Sequence, residues 1–366
     1  MRITKKTKYL PSEQVFVFFS QLIKETTNGK RVKKDGRRIR SSTIDSYYST
    51  QRLLQEFISE KSFDFKIYLV NHLTKKETKQ AKKYYKKFFK EFTDYLYFKK
   101  DFYDNYVGIL IKTLRMFFNY LKTETGLNVG EFHKNFYVHT EEVPIVVFSP
   151  EELNYLIYNN ELNQKLPKHL RRAKDVFVFG CTVALRFSDL MQLKRSNLQF
   201  YNGSYYLKVT SIKTDTSTSI KLPDYAVEIL MKYNKKQKTL LPTHSKNWYN
   251  QCFKELARYL HFNNPTIKYR TKRGIKYPIY KNKTKREHYT LADHITTHTM
   301  RRTAITTMLR LSMPEQLVRK ISGHAAGSKE FYRYVEFAQS HVDEHTDKVF
   351  DQISKIETIP MGRLAL

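Results

Sequence analysis

Ala173-Lys174-Asp175-Val176-Phe177-Val178-Phe179-Gly180-Cys181-Thr182-Val183-Ala184-Leu185-Arg186-Phe187-Ser188-Asp189-Leu190 is an apolar run that leads into an arginine. Residues 173 to 184 predict a helix, with Arg186 just past its end. Taken alone, Arg186 reads as a surface arginine at a helix terminus. Its weight comes from later segments in a fixed order. These are Ile212-Lys213-Thr214, then His298-Thr299-Met300-Arg301-Arg302-Thr303, then Ser322-Gly323-His324 with Tyr334 following.

Two arginines, a lysine, two histidines and a tyrosine suit one kind of chemistry. Attack on a phosphodiester places negative charge on its non-bridging oxygens. The forked guanidinium groups of Arg186 and Arg301 match two phosphate oxygens at once and keep their charge. The leaving oxygen needs a proton, which Lys213 or a histidine can give. His298 and Arg301 are three apart and share a helical face. A tyrosine is a poor nucleophile as the phenol, and nearby positive charge activates it. Each residue has a blander reading when isolated. Lys213 is one lysine of many, a Gly-His pair often caps a helix, and most of 27 tyrosines must be core or surface.

Working outward, the chain divides before Ser149-Pro150-Glu151-Glu152, a strong helix start with Ser149 as cap and Glu152 closing a capping box. Upstream, residues 1–130 predict a helical module. Val15, Phe18, Phe19, Leu22 and Ile23 form a helical stripe with Ser12 as its cap. Three further helices are marked by Tyr47 and Leu54, by Ala81, Phe88 and Phe92, and by Leu110, Leu114 and Leu121. On the third helix Lys79, Lys82, Lys83, Lys86, Lys87 and Lys90 crowd the remaining faces. Residues 131–147 read as a linker. Downstream, Asn202-Gly203 signals a hairpin within strands over 198–222, with Lys213 near the next turn. The basic stretch 264–290 predicts a hairpin with a glycine turn, and helices follow from His298.

Composition narrows the partner. Lys and Arg number 66 against 35 Asp and Glu, a net charge of +31, which favours a polyanion. Apolar residues make up 40%, enough for packed cores. No apolar run reaches the length of about 18 residues that a membrane span needs. Cys181 and Cys252 both lie in apolar helical patterns, which argues for reduced thiols in a cytoplasmic protein. Candidate DNA contacts are Arg37, Arg38 and Arg40 in a basic loop, Lys83 and Lys87 on the third helix, and Arg270, Lys272 and Arg273 in the later basic stretch. A merely solvated role is as plausible for them.

On these motifs the second part resembles the catalytic domain of the tyrosine recombinases, or phage integrases, with the subgroup of Bacteroides-type phages and mobile elements nearest. Ala184-Leu185-Arg186-Phe187-Ser188-Asp189-Leu190 matches the family's first-arginine segment. Lys213 matches its hairpin lysine, His298 and Arg301 its His-x-x-Arg, Gly323-His324 its Gly-His, and Tyr334 its nucleophile. The interval from His324 to Tyr334 is one residue longer than usual. Phe331-x-x-Tyr334-Val335 fits the subgroup pattern, so Tyr334 is preferred and Tyr332 is the runner-up.

The resemblance implies a mainly α fold with a small antiparallel β-sheet. A helical, SAM-like core-binding domain and a mixed α/β catalytic domain (residues 148–340) would form a C-shaped clamp on double-stranded DNA. Residues 341–366 would be a C-terminal helix and tail that docks on a neighbouring protomer or folds back. The core-binding pattern begins near Ser12, so an additional arm-binding domain is not expected.

By resemblance, Arg186 and Arg301 hold the scissile phosphate, with Asp189 as a supporting acid. Lys213 protonates the leaving 5′ oxygen, and His298 and His324 bind phosphate and shuttle protons. Tyr334 forms a 3′-phosphotyrosyl bond. No metal and no cofactor are implied. Dimers and tetramers on DNA are expected, with accessory DNA-bending proteins as further partners, in a bacterial cytoplasm and on the nucleoid. Relaxation of DNA by topoisomerase type IB chemistry and non-catalytic DNA binding are the alternatives.

Overall fold

The structure is a computed structural model and describes residues 7–211, 216–233 and 238–354. The chain forms two compact units. One holds the residues up to Glu142 together with Lys268–Ile279, and the other holds Val143–Ile267 and the residues from Tyr280 onward.

The first unit opens with strand β1 (Tyr9–Pro11) and helices α1 (Ser12–Thr27) and α2 (Ser41–Lys61). Strand β2 (Lys66–Tyr68) and helices α3 (Lys75–Asp94) and α4 (Asp104–Thr123) follow. β1 and β2 pair antiparallel, with Leu10 opposite Ile67, and both side chains are buried. Ser12 is not the cap of α1. Pro11 takes the N-cap position at φ −70° and ψ 162°, because it ends a strand and its ring already fixes a φ compatible with helix entry.

Thr74 caps α3, and Glu77 closes its capping box. One face of α3 buries Ala81, Tyr85, Phe88 and Phe92, while Lys79, Lys82, Lys83, Lys86, Lys87 and Lys90 are exposed. Phe57 joins this face, with ring centroids 5.3 Å from Phe92 and 6.2 Å from Phe88. After Asp94 the chain widens into a π-turn over Tyr95–Lys99.

In the second unit, helix α5 (Pro150–Tyr158) starts as its sequence dictates. The Ser149 hydroxyl accepts from the Glu152 amide at 3.1 Å, and the Glu152 carboxylate accepts from the Ser149 amide at 2.7 Å. Helices α6 (Asn160–Lys165), α7 (Lys168–Val183) and α8 (Phe187–Leu190) precede a three-stranded antiparallel sheet. Its strands β3 (Leu198–Tyr201), β4 (Ser204–Thr210) and β5 (Ser217–Lys221) run in sequence order. Asn202 and Gly203 turn β3 into β4 with φ values of 47° and 70°, the left-handed pair a two-residue hairpin requires.

Helices α9 (Asp224–Tyr233) and α10 (Lys246–Tyr259) lead to strand β6 (Pro265–Thr266). Strands β7 (Lys268–Lys272) and β8 (Ile275–Ile279) form the expected glycine-turn hairpin, which packs in the first unit. Back in the second unit, strand β9 (Tyr289–Thr290) pairs with β6. Helices α11 (Thr297–Arg310), α12 (Glu315–Ser322) and α13 (Lys329–Ser354) follow. The unit's core forms around α7, whose residues from Ala173 to Val183 are buried except Thr182. α7 packs closely on α11, and Gly180 permits it: a Cβ there would stand 2.5 Å from Sδ of Met300. The fold class is therefore mainly α with small antiparallel sheets. Among the described residues, no helix is long and apolar enough to cross a membrane.

Candidate active site

The site grows from the C-terminus of α7. Ala184 ends that helix in the left-handed region, at φ 54°, a conformation that a side chain larger than glycine's adopts at a cost. The turn places Arg186 at the N-cap of α8 and aims the Ala184 carbonyl at α11. That carbonyl accepts a 2.8 Å hydrogen bond from Nη1 of Arg301. Arg186 itself is half-buried. Its Nη1 donates to Oγ of Ser211 at 3.0 Å, and Ser211 Oγ donates to Oδ2 of the buried Asp189 at 2.9 Å.

Ser211 follows β4, and its amide bonds to the Thr216 carbonyl at the base of the β4–β5 hairpin. Lys213, expected at that turn, lies outside the described residues.

Helix α11 carries His298 and Arg301. Thr296 caps it and Thr299 closes the capping box, which sets the helical register of both. Arg301 is 7% exposed, whereas His298 reaches solvent. Past α12, Gly323 takes φ 63° and turns the chain so that His324 faces α11. Nη2 of Arg301 lies 3.2 Å from Nε2 of His324, and Ser322 Oγ lies 2.8 Å from its Nδ1. A guanidinium can only donate, so the nearer ring nitrogen, Nε2, is the acceptor. Nδ1–H is then free to donate to Ser322.

Tyr334, on the first turns of α13, is 5% exposed, with its ring centroid 6.0 Å from that of His324. It packs in a small cluster with Ala184, Ala304, Ile305, Val318 and Phe331. Tyr332 is 46% exposed and takes no part in that cluster.

The electrostatics are those of a buried cationic site. Burial and the neighbouring charge of Arg186 pull Arg301 down to about 10, against the opposing pull of Tyr334, Glu330 and Asp189. The protein packed around His298, together with Lys246, Arg302 and Arg301, holds its imidazole below the usual range. An arginine that would keep its proton more firmly beside added negative charge is suited to a bound phosphate. Among the described residues, no group of three or more His, Cys, Asp or Glu side chains is arranged to hold a metal ion.

The structure thus brings together Arg186, Asp189, Arg301, His324 and Tyr334, with His298 on the same helix as Arg301. Sequence reasoning missed Ser211 and Ser322, which hold Arg186 and His324. Their only signal is adjacency to motifs, since each sits one or two residues from a residue already singled out. The expected DNA contacts divide. Lys83 and Lys87 are exposed on α3. Arg37 pairs with Asp35, Arg38 lies across Gly29, and Arg40 occupies the N-cap of α2. Arg270, Lys272 and Arg273 are paired with Glu141, Asp101 and Asp94 in the first unit.

Known structures share this fold. A XerH site-specific recombinase bound to palindromic difH substrate in a post-cleavage complex superposes with a TM-score of 0.55 at 15% identity. That match covers 93% of this chain and 90% of that one. A lambda integrase dimer bound to a COC′ core site gives 0.56 at 15% identity, over 89% and 95% of the two chains. The Tn1549 transposon integrase with a circular-intermediate DNA gives 0.58 at 13% identity, over 90% and 99%. At such identities the likeness is one of fold. No curated protein matches the chain in sequence. The sequence pattern of the phage integrase family does match, over residues 148–341, which span Arg186, His298, Arg301, His324 and Tyr334 alike. The chain belongs to the phage integrase family.

Proposed function

We propose that this protein is a site-specific DNA recombinase that cuts and rejoins strands through a 3′-phosphotyrosyl intermediate. The observation that carries the reading is the contact of the buried Arg301 with the partly buried His324, beside a buried Tyr334. A phosphate seated there would meet Arg186 and Arg301 as two forks, with His324 oriented by Ser322 and His298 nearby.

Tyr334 Oη would attack phosphorus, forming a Tyr–O–P bond as the P–O5′ bond breaks. The departing 5′ oxygen would take its proton from Lys213, and the phenolic proton would leave through a histidine. Attack on the phosphotyrosine by a new 5′ hydroxyl reverses the step on a partner strand. The residues themselves hold and neutralise the phosphate, so the reaction needs no cofactor.

In this reading residues 1–130 form the core-binding domain, 131–147 the linker and 148–340 the catalytic domain, followed by a C-terminal helix; the tail expected to follow it, residues 355–366, lies outside the described residues. Double-stranded DNA is the substrate. Related structures, a lambda integrase dimer on a core site and a lambda integrase tetramer on a Holliday junction, support assembly of two and then four protomers. Work on the cytoplasmic nucleoid of a bacterium is the corresponding setting.

A suicide substrate, nicked near the cleavage point, tests the proposal. It should trap a covalent protein–DNA adduct on a denaturing gel, in the presence of EDTA. A metal requirement would sink the mechanism. Relaxation of supercoiled DNA without paired target sites would move the assignment to topoisomerase type IB chemistry, and binding with no adduct would leave a DNA-binding protein.

A further inference from the structure

The helical first unit contains a buried acid that its own first 142 residues do not satisfy. Asp104, at the start of α4, is fully buried. Tyr97 donates to its Oδ1 at 2.6 Å. Two backbone amides of the β7–β8 turn donate to it as well, Arg273 to Oδ1 at 2.7 Å and Gly274 to Oδ2 at 2.9 Å. Both turn residues adopt positive φ, 53° and 78°, so their amides point the same way into the carboxylate.

Acids on both sides extend the fit. Glu141 accepts from the Thr271 amide at 2.7 Å and pairs with Arg270, Asp94 pairs with Arg273, and Asp101 pairs with Lys272. Tyr103 lies under two of these cations, 4.7 Å from Arg270 and 5.3 Å from Lys272. The π-turn over Tyr95–Lys99 shapes the corner: Lys272 Nζ donates to the Tyr97 carbonyl at 3.1 Å.

We propose that this acidic, aromatic corner is a receptor for a basic β-turn, and that residues 268–279 of the same chain are a plug seated in it. The helical unit is completed from outside its own stretch of sequence. The plug fixes the corner at which α3, the lysine-bearing helix, passes into α4. Arg270, Lys272 and Arg273 of β7 and its turn are each paired with an acid of the corner. Removing the plug takes two backbone donors from the Asp104 carboxylate and opens the corner that they close.

Limited trypsin digestion of the full chain, without DNA, tests this. The bonds after Arg270, Lys272 and Arg273 are protected while the plug is seated. Asp104→Asn, and separately the milder Arg273→Ala, should speed cleavage after Lys272 by about tenfold or more. If both variants fold with the wild-type circular dichroism spectrum and keep wild-type protection, the receptor assignment fails. Protection that falls on dilution would show that a second copy supplies the plug, and would overturn its assignment to the same chain. Protection independent of concentration, lost in the variants, supports it.

Discussion

The carboxylate of Asp189 and the guanidinium of Arg186 are joined through one hydroxyl, that of Ser211, by hydrogen bonds of 2.9 and 3.0 Å. The acid three residues from the arginine therefore acts on it through a serine that follows β4, later in the chain. Ser211→Ala breaks that relay and leaves the buried Asp189 with one donor fewer. If Arg186 grips the scissile phosphate, adduct formation in a single turnover should slow about 10- to 100-fold, the worth of one hydrogen bond to a charged group. Ser211→Thr, which restores the hydroxyl, should recover most of the rate. An alanine variant at wild-type rate would remove Arg186 from phosphate binding.

Tyr334 and Tyr332 present a choice that burial sharpens, since the first is enclosed beside His324 and the second faces solvent. Tyr334→Phe should abolish the covalent adduct, with DNA binding retained. Tyr332→Phe should keep adduct formation within a few-fold of wild type. The reverse pattern would reassign the nucleophile.

Arg301 has two tasks, holding the Ala184 carbonyl and meeting His324. Lysine keeps the charge but lacks the fork, so it cannot do both at once. Arg301→Lys is expected to cost about 100-fold or more in cleavage rate, on the scale of losing a preorganised anion donor. Because the Ala184 contact ties α7 to α11, the midpoint of thermal unfolding should fall as well.

Gly180 faces Met300 across the α7–α11 contact. On helix propensity alone, Gly180→Ala should stabilise α7 by about 0.5–1 kcal/mol. The added Cβ instead meets the Met300 side chain, and overpacking of this kind costs about 1–3 kcal/mol. A net loss of stability is expected, read by denaturant unfolding. Met300→Ala in the same chain should relieve the clash, which makes the pair non-additive.

Cys181 and Cys252 are both buried. Burial pushes the Cys252 thiol up to about 11 and raises that of Cys181. The thiolate is the reactive form, so at pH 8 the folded protein should react with iodoacetamide on the order of 100-fold more slowly than the unfolded chain. Fast labelling of the native protein would contradict this packing.

The parts of this fold that are written locally were legible in the amino-acid order. Apolar periodicity marked α7, the Ser149–Glu152 box started α5, and Asn202-Gly203 turned β3 into β4, because caps and turns are satisfied by neighbours in the chain. The residues Arg186, His298, Arg301, His324 and Tyr334 were legible for a related reason: each stands in a short motif. Contacts between distant segments were not legible. Ser211 and Ser322 looked like any serine until folding set them against Arg186 and His324. Arg270, Lys272 and Arg273 looked like DNA contacts because charge in a sequence carries no partner. Folding pairs them with Glu141, Asp101 and Asp94, because the buried Asp104 takes two backbone donors, besides the nearby Tyr97 hydroxyl, from the hairpin that carries them.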